Sequence, residues 1–295
     1  MTYIEKKKVN GKNYFYLSKN VRVSENKWKK IRKYIGKDLS GLQTVEIELN
    51  QAEPIKRLLT RKQIDAIELI KAQFLKKNKQ KKVSWKTEKK QFVSFIFNTN
   101  AIEGNTLGYE DTKDLLEGKK LKIKYKKKDV IEVKNMAKCI KFLSKYKGEF
   151  NKDLLLKLHF IEMNKVHPKA GKIRKRQNIV GNYLPPKPEK VLQELTNFFG
   201  WFNKAEKILH AFELAALVHL KLVRIHPFME GNGRISRLLM NYILLKNNYP
   251  LLNIFDSEKI IYYLTLKEVD AKKKEKPFIK YLAEVYVNQY KRLFA

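Results

Sequence analysis

Apolar residues recur at helical spacing through most of this 295-residue chain, but not at its start. From Pro54 onward the period is 3.6. Pro54 to Lys77 reads as one helix, followed by a charged break at 76–82. The next helix carries Phe92, Phe95, Ile96, Thr99 and Ile102 on one face and stops at Gly104. The same period predicts helices at about 109–117, 128–146, 151–166, 187–203, 205–224, 233–247, 257–269 and 275–293. Between them, Asn178 to Leu184 reads as a short hairpin stopped by Pro185-Pro186. The first fifty residues differ. Asn13–Leu17 and Val21–Val23 read as hairpin strands around Ser18-Lys19-Asn20. Lys27 to Ile35 reads as a short helix closed by Gly36, and Thr44 to Leu49 alternates with period two, as a third strand would. The predicted organisation is a small β-containing module over 1–53, a helical connector over 54–84 and a mainly α domain over 85–295.

Composition narrows the compartment more than the function. Hydrophobic content of 43% is enough for a real core. The one cysteine, Cys139, excludes an internal disulfide and fits a reducing compartment. The N-terminus lacks the apolar stretch of a signal peptide. No uncharged apolar run approaches the ~18 residues of a membrane span. A cytoplasmic protein without a membrane partner is expected. The net charge of +34 invites a nucleic-acid reading, yet ten of the 64 basic residues are Arg and 54 are Lys, spread along the chain. That distribution reads as general surface charge, so specific nucleic-acid binding is not expected, whereas salt-sensitive polyanion binding is.

The candidate chemistry lies between two predicted helices. The first, with Ile208, Phe212, Ala215, Val218 and Leu222 on its apolar face, ends at His226-Pro227, because a residue before proline disfavours helix. The second begins near Gly233, with Leu238, Tyr242 and Leu245 inward. Two glycines let backbone N–H groups approach a ligand, and a helix N-terminus directs unpaired donors at an anion. Arg234 and Arg237 are three apart and share a face. Glu230 could bridge to phosphate oxygens through Mg²⁺, and His226 could accept a proton from a hydroxyl. Together these residues supply the parts of a phosphoryl or nucleotidyl transfer site. A lone Gly-Asn-Gly turn is ordinarily only a turn, and His226 alone could be a core histidine, as His219 is read to be. His159, His167 and His210 carry no assigned role.

The full run His226-Pro227-Phe228-Met229-Glu230-Gly231-Asn232-Gly233-Arg234-Ile235-Ser236-Arg237 resembles the Fic family signature His-x-Phe-x-(Asp/Glu)-Gly-Asn-Gly-Arg-x-x-Arg. The resemblance, over about residues 85–290, implies a Fic-fold helical core with a short β-hairpin flap. It implies transfer of AMP from ATP to a Ser, Thr or Tyr hydroxyl of a protein. His226 resembles the base, Phe228 the buried anchor, and Glu230 the ligand of Mg²⁺ (or Mn²⁺). Gly231, Asn232 and Gly233 resemble the anion hole. Arg234 and Arg237 resemble phosphate-binding arginines, with Ile235 and Ser236 between them in the nucleotide-binding run. Relatives that phosphorylate carry lysine where Gly233 stands, which favours AMP transfer here. Val180, Gly181, Asn182 and Tyr183 resemble the flap over the nucleotide. Tyr262 and Tyr263 fall where the family has an adenine-contacting pair, and Asp270 where asparagine is common.

Thr99 to Asn105 resembles the family's inhibitory motif (Ser/Thr)-x-x-x-Glu-(Gly/Asn). Thr99 and Glu103 are four apart, and a carboxylate in the last turn of a helix opposes its dipole by roughly 0.3–1 kcal/mol unless a cation compensates. Arg237 would be that cation. The resemblance implies an inhibitory helix over about 88–103, with Glu103 standing where the γ-phosphate should lie. An ordinary exposed Glu before a helix cap is the plainer alternative. Removal of AMP through the same site is a second functional reading, and a basic nucleic-acid-binding regulator with a vestigial core a third. The implied partners are a hydroxyl-bearing protein target and the chain itself, with homodimer formation left open.

Overall fold

The computed structural model describes residues 2–24, 27–51, 57–78, 89–181, 183–272 and 274–294. Asn182, Pro54 and most of the charged break therefore lie outside the described residues. The chain divides into two compact units, Met1–Lys56 with Leu192–Ile208, and Arg57–Val191 with Leu209–Ala295.

In the first unit β1 (Thr2–Val9), β2 (Lys12–Ser24) and β3 (Lys27–Gly36) form an antiparallel sheet in the order β1-β2-β3, followed by α1 (Leu42–Gln51). Three sequence expectations change here. The turn is at Asn10-Gly11, both at positive φ, 47° and 75°. This is the two-residue turn that matches strand twist, and Asn-Gly is its signature. Ser18 to Asn20 lie inside β2, not at its tip. The predicted helix over 27–35 is β3: Ile31 and Ile35 are four apart, a spacing helix and strand share, and pairing with β2 decides for strand. The predicted strand over 44–49 lies in α1, because Leu42 and Val45, three apart, both pack on Leu17 and Ile35.

The second unit is helical. It contains α2 (Arg61–Lys77), α3 (Lys89–Ala101), α4 (Tyr109–Leu116), α5 (Lys127–Leu143) and α6 (Lys152–Met163). After α7 (Val191–Ala205), which belongs to the first unit from Leu192 on, come α8 (Ala211–Ile225), α9 (Asn232–Lys246), α10 (Lys259–Lys272) and α11 (Lys276–Phe294). Thr60 and Gln63 form a capping box, each side chain satisfying the other's backbone N–H, so α2 starts at Arg61 and not at Pro54. α8 and α9 are buried on nearly every side and pack on each other, which makes them the central pair. α3 and α6 pack on α9, and α11 on α8 and α2. Among the described residues no helix is long and apolar enough to cross a membrane.

Candidate active site

α8 stops because His226 adopts the left-handed conformation, φ 49° and ψ 60°, while its N–H still reaches the Leu222 carbonyl at 3.0 Å. The chain turns through 227–231, and Gly231 at φ 80° caps α9. A Cβ at Gly231 would lie 2.7 Å from Glu162 Oε2, so glycine is required for both space and conformation. His226 Nδ1 lies 3.3 Å from the Val223 carbonyl, which can only accept. That contact favours the proton on Nδ1 and a lone pair on Nε2. Burial presses the imidazole below its ordinary value; Arg174 adds to this, while the Val223 carbonyl and Glu103 oppose it.

The loop is held from inside. Asn232 accepts from Phe228 N and donates to Phe228 O, both at 2.9 Å, so its side chain closes the loop. Phe228 is fully buried, its ring stacked on His159 with centroids 3.6 Å apart and planes within 3°. His159 Nδ1 accepts from Gly171 N at 2.9 Å, leaving Nε2–H to donate to the Glu230 carbonyl at 3.0 Å. Burial keeps this ring neutral, with a pKa lowered to about 4. Arg174 donates from Nε to the His226 carbonyl at 2.7 Å and through its other nitrogens to the Arg176 and Pro186 carbonyls. Asn178 donates to the Phe228 and Met229 carbonyls at 3.2 Å. Sequence reading gave His159, Arg174 and Asn178 no role at the site. Only α6's apolar period, which turns His159 inward, could have pointed to one of them.

The two motif arginines are placed differently. Arg234 is buried between two carboxylates, with Nε 2.8 Å from Glu162 and Nη1 3.0 Å from Glu132. Burial pushes Glu162 up to about 7 against the pull of Arg234. Arg237 donates from Nε to Thr99 Oγ1 at 2.9 Å, and from Nη2 to the Thr99 carbonyl at 3.0 Å and to Glu103 Oε1 at 2.7 Å. Its buried Nη1 meets no acceptor among the described residues. Glu103 sits in the turn just beyond α3, its N–H on the Asn100 carbonyl at 3.0 Å, and its side chain is 32% exposed. Burial opposes its ionisation, but the Arg237 guanidinium outweighs that and holds the carboxyl below its ordinary value. A Cβ at Gly233 would overlap Glu103 Oε1 and stand 3.1 Å from Arg237 Nη1, so all three meet at the first turn of α9. Ile235 and Ser236 are buried within α9, Ser236 donating to the Asn232 carbonyl at 2.8 Å.

Glu230 is half-exposed, with Lys128 Nζ 3.8 Å away. Val180 and Tyr183 exchange hydrogen bonds of 3.0 and 2.9 Å across Gly181, and Tyr183 OH donates to the Arg224 carbonyl at 3.0 Å. Asp270 pairs with Arg224 Nε at 3.1 Å, and that guanidinium lies 5.9 Å from the Tyr183 ring, so the flap and α10 meet on α8. Tyr262 is fully buried, with its hydroxyl 3.0 Å from His219 Nε2 and its ring 5.9 Å from the Arg237 guanidinium. Tyr263 is exposed and donates to the Ile102 carbonyl at 3.3 Å. The two tyrosines thus differ: one walls Arg237 and the other faces out beside Glu103's turn. His219 is a core histidine stacked on Phe278, centroids 5.1 Å apart.

A left-handed histidine, a loop locked onto its own asparagine and a helix N-terminus flanked by a guanidinium form a site suited to an anion on a helical fold. Residues 149–244 match the family model described as Fic/DOC family. The protein adenylyltransferase fic-1 of Caenorhabditis briggsae is 33% identical over 200 residues, 65% of this chain and 39% of that protein. The protein adenylyltransferase Fic of Nematostella vectensis is 34% identical over 204 residues, 66% of this chain and 47% of that protein. The solved structure of Fic-1 from C. elegans superposes with a TM-score of 0.66 at 29% identity, covering 79% of this chain and 70% of that one. The chain belongs to the Fic/DOC family, and its fold is the mainly helical Fic fold with an N-terminal three-stranded sheet. It spans less than half the length of the two curated relatives.

Proposed function

We propose that this protein transfers AMP from ATP to a hydroxyl side chain of a protein, and that Glu103 restrains the reaction. The observation that carries the reading is the meeting of Glu103, Arg237 and Gly233 at the N-terminus of α9, one loop away from His226 Nε2. The unmet Nη1 of Arg237 and the first-turn N–H groups of α9 form a cradle for phosphate oxygens. His226 Nε2 takes the proton of the target hydroxyl. The hydroxyl oxygen bonds to the α-phosphorus, the bond from that phosphorus to the bridging oxygen of the β-phosphate breaks, and pyrophosphate leaves. Glu230, half-exposed beside the cradle, suits Mg²⁺ or Mn²⁺, which take one or two carboxylates with water and phosphate oxygens. The ion supplies neutralisation of phosphate charge. With Glu103 in place, an anion that needs Arg237 meets a carboxylate already 2.7 Å from that guanidinium.

The protein names of the curated relatives support AMP transfer, and the glycine at 233 supports the restraint because a side chain there would displace Glu103. Self-labelling with α-labelled ATP tests the reading. Glu103→Gly should label strongly, the wild type at least tenfold less, and Glu103→Gly/His226→Ala not at all. Equal labelling of the wild type and Glu103→Gly would remove the restraint, and labelling by the double variant would remove His226 as base. The partly exposed, ionised Glu103 also favours a second reading, orientation of a water for removal of AMP from a modified protein. If AMP is released from such a substrate by Glu103→Gly but not by the wild type, that second reading fails.

A further inference from the structure

The sheet of the first unit presents two chemically different faces. One buries Leu17 and Ile35 against Val45 of α1, with Phe15, Ile31 and Leu42 packed around them. Side chains alternate along a strand, so the register assigns the other face. Tyr16 pairs with Glu5 on one side and Tyr34 on the other; Ser18 pairs with Tyr3 and Arg32; Tyr14 pairs with Lys7; Asn20 pairs with Lys30. The outward face is thus aromatic and basic. Tyr3 is 40% exposed, Tyr34 48% and Trp28 63%. Their neighbours are close: Tyr16 and Tyr34 rings are 5.3 Å apart, Tyr14 and Tyr34 6.3 Å. The Arg32 guanidinium lies 4.8 Å from the Tyr16 ring and Lys30 Nζ 5.6 Å from the Tyr3 ring. Glu5 is bound to Lys30 and lies 3.8 Å from Arg32, so its charge is spent within the face. Lys7, Lys12 and Arg32 are exposed on the same side.

Tyrosines are common in strands because they suit a pleated surface. That preference alone does not account for their exposure in a cluster interleaved with cations. Exposed rings on a sheet, with cations between them, suit a strand of nucleic acid whose bases stack while its phosphates meet lysine and arginine. A duplex hides the faces of its bases, so it gains only the charge contacts. We infer that this face binds single-stranded nucleic acid, with bases on Tyr3, Tyr16 and Tyr34 and phosphates on Lys7, Lys12 and Arg32. Stacking is tolerant of sequence, so the binding is not sequence-specific. The inference is independent of the transferase reading, because it uses no residue of the second unit.

The test uses the full chain and a fluorescein-labelled single strand of about twelve nucleotides, followed by anisotropy at about 0.15 M salt. The same sequence as a duplex, and heparin as a base-free polyanion, are the competitors. The single strand should bind at least about tenfold more tightly than the duplex, and heparin should displace it poorly. Tyr3→Ala/Tyr34→Ala should weaken binding by about tenfold or more, and Tyr3→Phe/Tyr34→Phe, which keeps the rings, should stay within about twofold of wild type. Circular dichroism of both variants should match the wild type, since neither tyrosine belongs to the buried cluster of Leu17, Ile35 and Val45. Equal binding of duplex and single strand, efficient displacement by heparin, or an unchanged affinity in the alanine variant would each reduce the face to a charged surface and overturn the inference.

Discussion

Thr99 does more at the site than its place in the motif implied. Its hydroxyl and its carbonyl both receive the Arg237 guanidinium. Thr99→Ala removes a hydrogen bond to a charged donor, worth roughly 1.5–3 kcal/mol. It should raise basal self-labelling above wild type but below Glu103→Gly; labelling at the wild-type level would show that Glu103 alone positions Arg237. His226 carries a pH prediction. Burial is the leading cause of its lowered pKa, so the neutral base persists below the ordinary imidazole value of 6.5. Glu103 opposes that shift, and removing it should lower the value further. The acid limb of the pH–rate profile of Glu103→Gly should therefore have its midpoint below 6.5, and a midpoint at or above it would contradict the buried, Val223-bonded histidine. The Glu103 carboxyl is itself depressed, so its pairing with Arg237 is fully present above the ordinary carboxylate range and is lost only as pH falls through the lowered value. Neutral pH leaves the pair intact.

Between helices, the loop is shaped more by what lies beneath it than by its own residues. α6 supplies His159, which stacks on Phe228 and fixes the Glu230 carbonyl, and Glu162, which holds Arg234 and sits against Gly231. His159→Ala forfeits the stack and two buried hydrogen bonds and should destabilise by about 3 kcal/mol. Thermal melting should show a fall of roughly 6–12 °C for a unit of this size; a shift under a degree would mean that the loop holds itself. The motif was legible because its residues are consecutive and the chemistry is local. His159 was not, since one histidine on an apolar helix face looks the same whether it supports a loop or fills a core. The first unit was misread for a related reason. Ile31 and Ile35, four apart, fit either period, and pairing with β2 made the choice; Leu42 and Val45, three apart, share a face only on a helix, and the alternation over 44–49 hid that. Asn10-Gly11 was the sequence signal that would have fixed the hairpin.

Across the helical unit, Arg234 ties α9 to α5 and α6 through Glu132 and Glu162 and touches Asn100 of α3 at 3.4 Å. The resemblance cast it as a phosphate ligand, yet both carboxylates claim its guanidinium in the interior. Arg234→Ala would leave two buried carboxylates without their cation, a loss of roughly 3–5 kcal/mol. It should lower the melting temperature as well as activity, whereas His226→Ala should abolish activity with melting unchanged. Should Arg234→Ala melt like the wild type, Arg234 would belong to the ligand and not to the scaffold. The sequence by itself determined the family, the order of helices from α2 to α11 and the candidate run from His226 to Arg237, because helical period and a contiguous motif are local properties. Only the tertiary structure decided that Asn232 is turned inward, that the two arginines have different partners and that Tyr262 is buried while its neighbour Tyr263 is exposed. It alone gathered the tyrosines and cations of the first fifty residues onto one face of a sheet. Each of these depends on groups far apart in the chain competing for the same donor, acceptor or buried space, and that competition is settled only by packing.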